Sequence, residues 1–144
     1  MPEYKEVDFE IARVYRKKYG QRWGLIHSNY LANLAKPVDE AKVDVASILQ
    51  DFVVAQEAWF DAVNIHVWKQ KGRTSLAEAM ENMVRNVEII CNYLKKEKIS
   101  TVFVFENTAG QGSEIGSNLE ELTVFYTKYL KDFPVKLCVD TAHC

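Results

Sequence analysis

The 144-residue sequence predicts an α/β fold of parallel βα repeats, on three observations. First, four short apolar runs recur: Trp23-Gly-Leu-Ile-His27, Val63-Asn-Ile-His66, Val102-Phe-Val-Phe-Glu106 and Lys136-Leu-Cys-Val-Asp140. Each ends in a side chain that can bind a metal. Second, those ends are spaced 39 (27 to 66), 40 (66 to 106) and 34 (106 to 140) residues apart. A strand, a helix and two loops fill about that length; the crossover alone takes at least ~10–12 residues. Third, the runs are nearly continuous in apolar character rather than alternating, which is the pattern of strands covered on both faces of a parallel sheet. Right-handed crossovers place all four C-terminal strand ends on one rim. Parallel α/β folds build their sites at that end.

The elements follow in order. Val7, Ile11 and Val14 recur at three- and four-residue intervals and predict a helix over 3–19, stopped by Gly20. The first strand is expected over 22–27. A loop runs from Ser28 to Lys36, and Pro37 suits the first turn of a helix reaching about Phe60. Val43, Val45, Ile48, Leu49, Phe52 and Val53 lie on one side of that helix. The second strand is expected over 61–67. After the basic loop 69–73, Thr74 is placed to cap a helix over 75–96. The third strand is expected over 100–106, then a Gly-rich loop from Asn107 to Ser117. A helix over 118–131, closed by Pro134, leads to the fourth strand over 135–140. No linker, low-complexity segment or second domain interrupts residues 1–144, so one domain is expected.

Composition narrows the function classes. Apolar residues make up 48% and charged residues 26%, as in ordinary globular domains. The net charge of −2 gives no global basic signature, so any nucleic-acid contact must be local or metal-assisted. No apolar stretch approaches the ~20 residues of a membrane helix, and no secretory signal pattern opens the chain. No membrane partner is expected. Three cysteines (Cys91, Cys138 and Cys144) without CxxC spacing fit a reducing, intracellular setting in cytoplasm or nucleus. Cys91 and Cys138 fall in apolar segments and are expected as buried free thiols.

The chemistry lies in the strand ends. The chain has three histidines: His27 and His66 end strands, and His143 follows Asp140 by three residues. Imidazole plus carboxylate is a zinc donor set, and three protein ligands with an open position is its catalytic form. His27, His66 and Glu106 supply one such set. Glu106 can bridge to a second ion with Asp140, and His143 can reach a third position. Two ions ~3.5–4 Å apart stabilise the attacking and leaving oxygens of phosphoryl transfer. Taken singly, a strand-end histidine is a structural hydrogen-bonder and a strand-end carboxylate caps the next helix. Their joint placement favours a metal site. Beside it, Tyr30 and Leu31 in the first loop either cover the rim or wedge into a base stack. Lys69, Lys71 and Arg73 follow the second strand on the same rim and are placed to touch phosphates. Arg16, Lys17, Lys18 and Arg22 precede the first strand and belong to the opposite end. The loop after Glu106 offers polar groups, and its glycines permit close backbone approach to a ligand.

Three segments carry a resemblance. Glu106-Asn-Thr-Ala-Gly-Gln-Gly-Ser113, with Ile115-Gly116 after it, resembles the signature of the endonuclease IV family of apurinic/apyrimidinic (AP) endonucleases. His27-Ser-Asn-Tyr-Leu-Ala-Asn-Leu34 is similar to that family's His-x-x-Tyr-Leu-x-Asn-Leu segment, and Leu137-Cys-Val-Asp-Thr-Ala-His143 to its Cys-x-Asp-Thr-x-His segment. The three stand in family order and span essentially the whole chain. The resemblance implies a (β/α)8 TIM barrel of the xylose-isomerase-like kind, of which this chain forms about half. It implies up to three Zn2+ ions and cleavage of double-stranded DNA 5′ to an abasic site. Carried over, His27, His66 and Glu106 bind the first zinc. Glu106 and Asp140 contribute to the second, and His143 to the third. Glu106 is then also the residue on which catalysis turns. Tyr30 and Leu31 intrude at the abasic nucleotide, with Asn33, Lys69, Lys71, Arg73 and Gln111 as further DNA contacts.

The chain departs from the family in two respects. Val67-Trp68 stands where the family has Pro-Gly after its second histidine, so the assignment of His66 rests on strand register. Four strands are expected where the family fold has eight, and the family's later ligands have no counterpart. The chain is therefore expected to be a fragment lacking the first and last strands, with open barrel edges that invite self-association. Two other function classes compete. One is a non-catalytic remnant that binds metal or DNA. The other is a sugar isomerase or epimerase of the related barrels, against which the Tyr30-Leu31 loop and the Glu106–Ser113 segment argue.

Overall fold

The structure is a computed structural model that describes residues 4–66, 75–110 and 118–143. Its elements are α1 (Glu6–Lys18), β1 (Leu25–His27), α2 (Lys42–Glu57), β2 (Ala62–His66), α3 (Leu76–Lys96), β3 (Val102–Glu106), α4 (Leu119–Phe125) and β4 (Val135–Cys138). A π-helical turn (Tyr126–Leu130) extends α4, and a 3-10 turn (Thr141–His143) follows β4. The four strands pair in the order β1-β2-β3-β4, every pair parallel. Successive neighbours joined by helical crossovers are the wiring of a singly wound barrel, so the expected architecture is present as a barrel segment.

The core lies between the sheet and its helices. Val63, Ile65, Phe103, Phe105 and Val135 leave the strands on one face. They meet Ile48 and Phe52 of α2, and Met83, Val87 and Ile90 of α3. Phe52 and Phe103 pack edge to face with centroids 5.2 Å apart. Pleating sends the intervening residues to the other face: Leu25 and His27, Asn64 and His66, Val104 and Glu106, Lys136 and Cys138. No described helix covers that second face. The expectation of strands buried on both sides is thus corrected: β1 and β4 are largely exposed, and Leu25 is open to solvent. The helix α1 buries no residue, and its stripe of Val7, Ile11 and Val14 faces outward.

Several boundaries also move. β1 begins at Leu25 rather than 22, because Gly24 pairs with Asp61 outside the ladder, through Asp61 N–H to Gly24 O and Gly24 N–H to the Asp61 carboxylate. A Cβ on Gly24 would strike the Arg16 guanidinium and the Phe60 ring, which explains glycine there. Pro37 opens a turn closed by Glu40 and Ala41 N–H, and α2 starts only at Lys42. Val43, expected on the core side, is exposed. The cap of α3 is Ser75, whose Oγ accepts from Glu78 N–H at 3.2 Å; Thr74 lies outside the described residues. α4 gives way to the π turn where Thr123 and Thr127 bond back to the carbonyls of Leu119 and Thr123, competing with the regular ladder. β4 ends at Cys138 rather than 140 because Asp140 N–H donates to the Asn107 side chain, 2.6 Å away.

The rim loop after β1 is pinned at both ends. Ser28 donates to Asp51 of α2 at 2.5 Å, and burial raises that carboxyl against the bond's opposing pull. Asn86 of α3, fully buried, donates to the carbonyls of Leu34 and Lys36, and Asn82 donates to that of Ala35. Polar residues inside a helix interface thus hold a loop on the site rim.

Candidate metal centre

The register decides which side chains meet. His66 pairs with Glu106 across β2 and β3, His27 with Asn64 across β1 and β2, and Glu106 with Cys138 across β3 and β4. All lie on the face away from the helices, at the C-terminal ends. Two groups result: His27, His66 and Glu106, and then Glu106, Asp140 and His143. Within each group, one ligand atom per residue lies within 4.8 Å of the others. Glu106 belongs to both groups and is buried. The His27 and His66 rings are 4.8 Å apart, and those of His66 and His143 are 5.5 Å apart.

The hydrogen bonds test whether these residues suit a cation. His27 Nδ1 lies 3.0 Å from Ser28 O. A carbonyl only accepts, so Nδ1 carries the proton and Nε2 presents a lone pair. That lone pair sits 3.3 Å from Glu106 Oε2, acceptor against acceptor. Such a contact is repulsive unless the ring is protonated or a cation lies between. His143 repeats the pattern: Nδ1 bonds Asn107 O at 3.0 Å, and Nε2 sits 3.6 Å from Asp140 Oδ2. Tetrahedral zinc with bonds of ~2.0–2.1 Å separates its ligand atoms by roughly 3.3–3.4 Å. A histidine bonded to a carbonyl through its other nitrogen is the usual arrangement of a metal ligand. The residues therefore fit zinc.

The surroundings sharpen the charges. Asp140 is held below the ordinary carboxylate range, first by the Ala142 N–H bonded to it and then by His143 beside it. Burial, with the Glu106 and Asp140 carboxylates nearby, pushes the Cys138 thiol up, so it remains protonated. Asn107 clamps the end of β4: it donates to Asp140 O at 3.1 Å and accepts from Asp140 N–H. One residue escaped the sequence reading. Asn64 is buried on the site face and donates to Glu106 Oε2. Its signal was a lone amide two places before His66 in an apolar strand.

The remaining expected residues fall into three kinds. Tyr30 and Leu31 stand on the rim, 65% and 63% exposed. Asn33 is buried, and its Oδ1 accepts from Ala35 N–H, so the structure gives it a place inside the loop rather than on its surface. Lys69, Lys71, Arg73 and Gln111 lie outside the described residues.

Fold and site together define a parallel βα barrel segment with an imidazole–carboxylate cluster on its C-terminal rim. The chain belongs to the xylose isomerase-like TIM barrel family, whose match runs over residues 9–144. A probable endonuclease 4 from Sulfurihydrogenibium sp. is 31% identical over 120 residues, covering 83% of this chain and 42% of the relative. The chain thus spans somewhat under half the length of that relative. Endonuclease IV from Thermus thermophilus superposes with a TM-score of 0.72 at 24% identity, over 99% of this chain and 48% of that one. A D-tagatose 3-epimerase-like protein superposes with a TM-score of 0.76 at 17% identity, over 96% and 52%. These two likenesses concern the fold. The endonuclease IV resemblance drawn from the three motifs is borne out.

Proposed function

We propose that this chain carries part of the centre of a zinc-dependent AP endonuclease of endonuclease IV type, acting intracellularly on double-stranded DNA. The observation that supports it most is the pair of ligand groups sharing Glu106 on the C-terminal rim. In the reaction, water adds to phosphorus 5′ to an abasic site. The bond from phosphorus to the 3′ oxygen breaks, and that oxygen takes a proton to become a 3′-hydroxyl. Zinc, when bound, supplies the positive charge that stabilises the attacking and leaving oxygens. His27, His66 and Glu106 would hold one ion; Glu106, Asp140 and His143 would contribute to others. The carbonyls of Ser28 and Asn107 keep the imidazoles in the tautomer that leaves Nε2 free to ligate. Tyr30 and Leu31 would enter the duplex at the lesion.

The test is metal content and nicking of an abasic-site duplex by this chain and by Glu106→Gln. Zinc in the wild type, with loss of most of that zinc and of nicking in Glu106→Gln, is expected. No nicking, and the same zinc content in both proteins, would overturn the reading. Zinc without nicking would favour the metal-binding remnant. Turnover of sugars but not abasic DNA would favour the isomerase or epimerase class, which the likeness to the epimerase-like protein keeps in view.

A further inference from the structure

We propose that Asn64 is a positioning residue that fixes the Glu106 carboxylate between the two ligand groups. This rests on the metal-centre reading above and adds a residue to it. Asn64 lies in the middle of β2, level with His27 on one side and Val104 on the other. It is 2% exposed, and its neighbours in the strand are Val63 and Ile65, both in the apolar core. A buried amide there costs stability unless its polar atoms are matched. Only half of that demand is met. Nδ2 donates to Glu106 Oε2, whereas the buried Oδ1 has no hydrogen-bond partner among the described residues. An apolar residue would suit the strand better, so a buried asparagine at this position is explained by what it does to Glu106.

The geometry gives that role content. Glu106 Oε2 faces His27 Nε2 at 3.3 Å, and Oε1 faces His143 Nδ1 at 3.5 Å. One rotation of the carboxyl plane therefore sets an oxygen beside the histidine of each group, against Nε2 of His27 and against the Asn107-bonded Nδ1–H of His143. A donor on Oε2 stops that rotation. Without it, the carboxylate turns and one group loses its shared member. The register supplies the reach: Asn64 sits on the same face as His66 and one pleat below it, so its amide meets the Glu106 head from beneath while the histidines approach from the rim.

Asn64→Val and Asn64→Thr isolate the donor, because the two β-branched side chains differ by a hydroxyl. The probe is Zn2+ alone, with its Kd read by competition against a chromophoric chelator. Co2+ absorption reports the ligand field independently. Asn64→Val is expected to bind Zn2+ roughly 10–100-fold more weakly, the usual effect of losing an outer partner of a ligand. Its thermal midpoint without metal is expected to match or exceed that of the wild type. Asn64→Thr is expected to recover part of the affinity. A purely structural asparagine would move the midpoint down and leave Kd unchanged. Equal Zn2+ affinity in wild type and Asn64→Val overturns the inference while leaving the metal centre standing. If Asn64→Val does not fold, Asn64→Ala, which also removes the donor, with wild-type affinity and an unchanged Co2+ spectrum overturns it equally. Absence of Zn2+ binding by the wild type overturns the metal-centre reading and this inference with it.

Discussion

Tyr30 and Leu31 are the large apolar side chains that the first rim loop leaves in solvent, although Ser28, Asn82 and Asn86 pin that loop on either side of them. A held loop with exposed apolar tips suits a wedge. The double change Tyr30→Ala, Leu31→Ala should weaken binding to an abasic duplex by on the order of a few kcal/mol. Zinc content should not change; its loss would mean the pair is structural. Cys91 behaves differently, because burial on α3 pushes its thiol up to about 11. Below the ordinary value of 9.0 the thiol is protonated both folded and unfolded. Between 9.0 and about 11 only the unfolded chain releases its proton, so stability is lost as pH rises through that window. Denaturant midpoints should therefore fall more steeply there for wild type than for Cys91→Ala, and parallel curves would refute the assignment. Four of the five ligand candidates were legible because a titratable residue closing an apolar run is conspicuous, and His143 because it follows one of them by three residues. Asn64 was not, because its partner is 42 residues away on another strand.

At the scale of the element, helix ends carry the clearest deviation from local rules. Trp59 and Lys98, just past α2 and α3, have φ of 60° and 55°, a region where glycine is the usual choice. Lys98 follows the Glu97 cap and bonds back to Lys95 O. Lys98→Gly relieves the left-handed cost and should raise unfolding free energy by about 0.5–1 kcal/mol, net of glycine's entropy. A drop in the thermal midpoint would show that the lysine side chain stabilises the turn in another way. The helices were readable from periodicity and the strands from their apolar runs; boundaries were not, nor were the π and 3-10 turns. Pro37 announced a helix that starts five residues later, because the proline's carbonyl is taken by a separate turn. β4 stops two residues short because the Asn107 side chain intercepts the Asp140 N–H. Both outcomes depend on hydrogen-bond competition that periodicity does not register.

For the whole molecule, the described helices cover one sheet face. The other presents Leu25, partly buried Val102 and Val104, and the metal-ligand candidates, with β1 and β4 at the sheet's two edges. No described helix is long and apolar enough to cross a membrane. An open parallel edge and a stripe such as Val7, Ile11 and Val14 promote association. Light scattering on the 16.6 kDa chain should therefore give a mass above one copy, and a monodisperse single-chain mass would count against self-association. By itself the sequence determined the parallel βα repeat, the strand ends on one rim and the residue types that gather there. Those follow from spacing and apolar runs, which are local properties. Only the tertiary structure decided that His143 joins Glu106 and Asp140 in one group, that Asn64 touches Glu106 and that Asn33 turns inward. The first two depend on pairing between strands about 32–40 residues apart, which is fixed by packing of the completed sheet, and the third on how the rim loop packs.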